Sequence, residues 1–136
     1  MSTTVSMQLE VPQPPAKVWR ALTEPALLAR WLLQTDFDPK IGAAFSFQRD
    51  PVPGWDGVVS CKVLALELHK RLQYTWVALG VDTVVTWTLE ATASGGTRLA
   101  LEHSGFPADI PQAIGGAKAG WRHMTDALRD VLAEVA

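Results

Sequence analysis

Three short runs decide the fold: Val85-Thr-Trp-Thr-Leu-Glu90, Ser94-Gly-Gly96 and Leu99-Ala-Leu-Glu-His103. In the first, Val85, Trp87 and Leu89 alternate with Thr86, Thr88 and Glu90; in the last, Leu99, Leu101 and His103 alternate with Ala100 and Glu102. A period of two with one apolar side marks a strand buried on one face. Ser-Gly-Gly between two such strands is a hairpin turn. A connection that short makes the neighbours antiparallel, and a polar outer side means that only one face of the sheet is covered.

The same pattern continues towards the N-terminus. Leu72, Tyr74 and Trp76 alternate with Arg71, Gln73 and Thr75, and Val59, Cys61 and Val63 with Ser60 and Lys62. Phe45 and Phe47 alternate with Ser46 and Gln48, across the Pro/Gly loop Asp50-Pro-Val-Pro-Gly-Trp-Asp-Gly57. Val5, Met7, Leu9 and Val11 form a further strand of this kind. Proline is well placed in a first helical turn, so Pro15 is expected to open a short helix to Leu22. A second helix restarts at Pro25 and sets Leu28, Trp31 and Leu32 on one stripe.

Towards the C-terminus a long helix is expected from about Pro111. Ala117, Trp121, Met124, Leu128, Val131 and Val135 follow one another at spacings of 4, 3, 4, 3 and 4, a single inward stripe, with Asp126 and Asp130 on the wet side. Gly115, Gly116 and Gly120 weaken its first turns by roughly 1 kcal/mol each relative to alanine. They leave that end free to kink or to approach the sheet closely. The expected fold is therefore α+β, one domain over 1–136: a curved antiparallel sheet of about six strands wrapped around a long C-terminal helix, with two short helices after the first strand.

Composition excludes several functions. A net charge of −2 over 136 residues, with 12 Lys and Arg scattered singly, gives no basic field for nucleic acid or an anionic membrane. No apolar run approaches the roughly 20 residues that span a bilayer. One cysteine forms no internal disulfide, and no basic-then-apolar leader precedes the first strand pattern, so a reducing, cytoplasmic location is expected. No metal-ligand spacing, phosphate-binding glycine loop, dinucleotide fingerprint or nucleophile elbow occurs. His69 and His123 do not join His103 at such a spacing, and no cofactor is expected.

Six tryptophans are a heavy load for this length. A wide sheet around one helix encloses more volume than the helix fills, and large rings either fill that space or line it. The candidate ligand-binding residues are Trp31, Phe47, Cys61, Tyr74, Trp76, Trp87, His103, Trp121 and Met124, all inward by parity or stripe, together with Trp55. That last residue sits in the 50–57 loop, as a possible lid or as a packing residue pinned by Pro53. No residue is assigned as catalytic. His103 is the one acid/base candidate, against the plainer reading of a histidine bonded to its own protein. Cys61, mid-strand and without a nearby cation, reads as a small buried hydrophobe rather than a nucleophile. Tyr74 would present its hydroxyl to protein, water or ligand.

The stretch Val11-Pro-Gln-Pro-Pro-Ala-Lys-Val-Trp-Arg-Ala-Leu-Thr-Glu-Pro-Ala-Leu-Leu-Ala-Arg-Trp-Leu32 resembles the opening signature of the activator-of-heat-shock-protein-90-ATPase homologue family. Gly42-Ala-Ala-Phe-Ser-Phe47, Arg71-Leu-Gln-Tyr-Thr-Trp76, Gly96-Thr-Arg-Leu-Ala-Leu-Glu-His-Ser-Gly-Phe-Pro107 and Gly120-Trp121 extend the likeness over nearly the whole chain. The resemblance implies the START-like, or SRPBCC, helix-grip fold. Its members include ligand carriers, resistance proteins that sequester antibiotics, cyclase relatives and chaperone regulators, so fold alone does not choose between them. The leading expectation is a small hydrophobic ligand, aromatic or polycyclic, held between sheet and helix for carriage or sequestration. The alternatives are a cyclase, dehydratase or hydrolase using His103, and a regulator of a chaperone ATPase. The two-domain co-chaperones add an N-terminal chaperone-binding domain to one like this, and the likeness here is to the second domain only. Monomer and homodimer both remain open.

Overall fold

A computed structural model describes residues 2–134. Strand β1 (Ser2–Val11) leads into helices α1 (Pro15–Thr23) and α2 (Pro25–Trp31). Then follow β2 (Gln34–Thr35), β3 (Ala44–Gln48), β4 (Val58–Glu67), β5 (Arg71–Ala78), β6 (Val81–Ala91), β7 (Thr97–Pro107) and the long α3 (Pro111–Glu134). The sheet is antiparallel throughout, in the order β1-β7-β6-β5-β4-β3-β2. It has seven strands where the alternation predicts about six. The extra one, β2, is only two residues long and carries no period to read.

The break between the short helices has a local cause. Glu24 precedes Pro25, and a residue before proline is pushed out of the helical region. Glu24 is accordingly extended (φ −86°, ψ 120°), ending α1 and starting α2 at once. These helices bury Val18, Trp19, Ala21 and Leu22, then Leu28 and Trp31.

Curvature comes from irregularities in the ladder, which bend strands locally. Val5 pairs with His103 but Thr3 with Phe106, so β7 carries one extra residue there, at Gly105 with φ +97°. A second register shift lies between Val63 and Ala65 on β4. Two glycines are dictated by close approach. A Cβ on Gly57 would sit 2.2 Å from the Arg49 carbonyl oxygen, and one on Gly96 would sit 2.3 Å from that of Val11. The Gly96 turn thus also seats the end of β1, helped by Thr97, which donates to the Gln13 carbonyl at 2.8 Å.

Helix α3 runs unbroken through its glycines and buries Trp121, Thr125, Leu128, Val131 and Leu132. Leu128 and Val131 fulfil the sequence stripe, Thr125 and Leu132 widen it, and Val135 lies outside the described residues. The C-terminal half is tied down by Arg129, which donates to the Glu10 carbonyl at 3.0 Å, and by an Arg30–Glu134 ion pair. Among the described residues no helix is long and apolar enough to cross a membrane.

Candidate functional site

The aromatic surplus divides in two. Towards β3 and α2 the rings pack against one another. Phe37 meets Phe45 at 4.9 Å, Phe45 meets Phe47 at 5.5 Å and Tyr74 at 5.4 Å, and Trp31 meets Trp87 edge-on at 5.8 Å. Their polar atoms are used internally: Trp31 Nε1 donates to the Ala21 carbonyl at 2.8 Å, and Trp87 Nε1 donates to the Tyr74 hydroxyl at 3.1 Å. Tyr74 therefore turns its oxygen to protein, and burial raises its pKa above the usual phenolic range.

At the other end, between the β5–β6 hairpin and the first half of α3, the walls stand apart around a cavity of about 350 Å³. The sheet supplies Trp76, Val81, Thr83, His103 and Phe106, and the hairpin tip supplies Ala78 and Leu79. The helix contributes Ala113, Gly116, Ala117 and Gly120, with Gln112, Trp121 and Met124 beyond them. The helical positions explain the void. A Cβ built on Gly116 or Gly120 meets nothing within 4 Å. The glycines therefore leave volume unfilled and do not bring the helix onto the sheet.

One hydrogen-bonded chain braces this end. Trp121 Nε1 lies 2.9 Å from His103 Nδ1, His103 Nε2 lies 2.6 Å from Thr83 Oγ1, and Thr83 Oγ1 lies 2.7 Å from the Trp76 carbonyl oxygen. An indole N–H only donates, so Nδ1 accepts and the proton of neutral His103 is on Nε2. Thr83 then accepts from Nε2 and donates its own O–H to the Trp76 carbonyl. Every step has one direction, and α3 is tied through it to three strands. Protonating Nδ1 would set two N–H groups against each other. Burial also disfavours the charged ring and holds the His103 pKa down to about 4. Ring contacts complete the brace: Phe106 at 4.5 Å and Trp76 at 5.6 Å from His103, and Trp121 at 5.4 Å from Trp76.

Of the ten sequence candidates, Trp76, His103, Trp121 and Met124 line the cavity. Trp31, Phe47, Tyr74 and Trp87 do not, because they close-pack in the other half. Cys61 is buried there as well, its thiol pushed up to about 12, first by burial and then by Asp36. It lies away from the cavity. Trp55 is not among the residues that wall this cavity. A bridge between Val52 and Trp55 pins its loop, its indole donates to the Val58 carbonyl at 3.2 Å, and Arg49 covers the ring. The 50–57 loop contributes nothing to the cavity wall.

Thr83, Phe106 and the Ala78–Val81 hairpin also line the cavity and are not among the sequence candidates. Thr83 shares the parity of Val85 and Trp87 and was within reach of the alternation. Phe106 was not, because the extra residue at Gly105 resets the alternation. No group of His, Cys, Asp and Glu among the described residues is arranged to hold a metal.

The model of the family described as Activator of Hsp90 ATPase homolog 1-like protein matches residues 12–133. The chain belongs to that family. Protein MLL2253 from Mesorhizobium loti shares 41% identity and a TM-score of 0.90, with 98% of this chain and 99% of that one covered. DynU16, a protein of the dynemicin biosynthetic locus, shares 29% identity over 96% of this chain (TM-score 0.80), and this chain spans only 47% of it. CalU16 from Micromonospora echinospora shares 25% identity over 98% of this chain and 78% of that one, with a TM-score of 0.81. No curated protein matches the chain in sequence. Family membership brings the helix-grip fold, an architecture suited to holding a ligand between sheet and helix.

Proposed function

We propose that this family member binds a small, uncharged, hydrophobic molecule in the cavity beside the first half of α3, as a carrier or sequestering protein. The observation that carries this reading is the cavity itself: about 350 Å³, walled by Trp76, Phe106 and Trp121, with no Lys, Arg, Asp or Glu in its lining. Ligand sites are mostly apolar with a few polar anchors, and this volume lies near the lower end of their usual range of about 300–1,000 Å³. Flat rings suit the aromatic walls, since offset and edge-on ring pairs add attraction beyond area burial. An ionised group entering here would lose its hydration without finding a counter-charge.

The His103 geometry favours binding over acid/base chemistry. Both nitrogens are engaged within the protein, and the ring stays neutral at physiological pH. A general base needs a lone pair within reach of the proton it takes, and the Nδ1 lone pair is already occupied by Trp121. A second reading, a chaperone partner, is favoured by the family's description. Stimulation of a bacterial chaperone ATPase by the purified protein would support it.

A matched probe pair tests the main reading. N-phenyl-1-naphthylamine is neutral; its 8-sulfonate has the same rings and a fixed negative charge. The neutral probe should bind saturably with raised fluorescence and quench the protein's tryptophans, and the sulfonate should bind at least ten-fold more weakly. Absence of saturable binding, or equal affinity for both, would defeat the proposal.

A further inference from the structure

Among the described residues, eight have φ clearly in the positive region, and six of them are glycine. The two exceptions are His69 (φ 62°) and Leu79 (φ 54°). His69 has a visible reason to sit there: its ring packs edge-on against Trp19 at 6.2 Å. Leu79 has no such contact. It occupies the first central position of the two-residue turn between paired Ala78 and Val81, followed by Gly80 at φ 74°. Two positive φ values identify the primed turn that suits strand twist, in which Asn, Asp or Gly is the usual first residue. Leucine is among the residues least suited to that conformation. The residue is also 68% exposed, so the free protein gains little burial from it. Yet it lines the mouth of the cavity, opposite the small residues of α3.

A residue that is both conformationally strained and unburied conflicts locally with the fold, and such conflicts concentrate at functional sites. We infer that Leu79 is a ligand-contacting residue, a hydrophobic lip that covers the open end of a bound molecule and helps set which molecules fit. The inference rests on the reading that the cavity takes a ligand. On binding, the exposed leucine surface would be buried against the ligand, while the hairpin backbone already holds it at the rim.

Three variants separate contact from strain, with N-phenyl-1-naphthylamine as the probe. Leu79→Ala keeps the strained backbone and removes the side chain; affinity should fall about five-fold or more, as expected for losing a partly buried leucine contact, with Tm unchanged. Leu79→Asn should lose affinity similarly while Tm rises by about 2–4 °C, because asparagine tolerates the left-handed turn. Leu68→Asn, equally exposed at 68% but absent from the cavity wall, should bind like the wild type. Wild-type affinity in both Leu79 variants, or an equal loss in Leu68→Asn, overturns the inference. If the wild type fails to bind the probe at all, the ligand-binding reading falls and takes this one with it.

Discussion

The two halves of α3 obey one amphipathic pattern and do opposite things. From Trp121 onward the inward stripe carries large side chains, and Leu128 and Leu132 are wholly buried. Before Trp121 the same face carries Ala113, Gly116, Ala117 and Gly120, and a cavity takes the place of a core. Periodicity tells which side of a helix faces in. Side-chain size tells whether that side is filled. The aromatic sheet shows the same division, close-packed towards α2 and hollow towards the β5–β6 hairpin.

The largest effect should come from breaking the filled half. Leu128→Ala leaves a hole in a packed core and should cost about 2–5 kcal/mol by chemical denaturation. Met124→Ala, half-buried beside existing space, should cost under about 1.5 kcal/mol. Equal losses at the two positions would mean that the cavity wall at Met124 is packed as tightly as the core at Leu128.

The brace at the cavity end should fail in acid. Burial lowers the His103 pKa from 6.5 to about 4. Between these values the unfolded chain takes up a proton that the folded one refuses. The stabilisation is thus complete above pH 6.5 and is lost as pH falls towards 4, by about 3 kcal/mol in all. Denaturant midpoints across this range should show the slope in the wild type, and His103→Gln should lack that component. An unchanged slope in the variant would place the acid sensitivity elsewhere.

The smallest effect runs the other way. Gly120→Ala should stabilise the protein by about 1 kcal/mol, since alanine favours helix and its methyl group meets open space. A loss of stability would show that the space is not there.

Much of this was legible in the sequence, though unevenly. Alternation placed the strands around Tyr74, Trp87 and His103, and the 4-3-4 spacing placed Trp121 and Leu128 on the inner face of the helix. Glu24-Pro25 marked the helix break through backbone sterics alone. What escaped was whatever breaks the period or depends on volume. Gly105 shifts the alternation, so Phe106 falls on the outward parity although it is buried beside His103. Trp55, in a Pro/Gly loop, invites a lid assignment, and the Val52–Trp55 bridge and the indole bond to Val58 that hold it carry no sequence signal. Parity pointed Trp31, Phe47, Tyr74 and Trp87 inward correctly, but could not tell rings that pack on one another from rings that face a void. That distinction lies in the small residues opposite them, on a helix more than a hundred positions from the first of the strands.

The central claim, that small residues on the first half of α3 hold open a ligand site, is tested most directly by plugging it. Ala117→Leu adds bulk where the cavity lies and should leave the protein folded, with wild-type Tm or slightly above. Its affinity for N-phenyl-1-naphthylamine should fall at least ten-fold. A folded Ala117→Leu variant that binds the probe as tightly as the wild type would contradict the account.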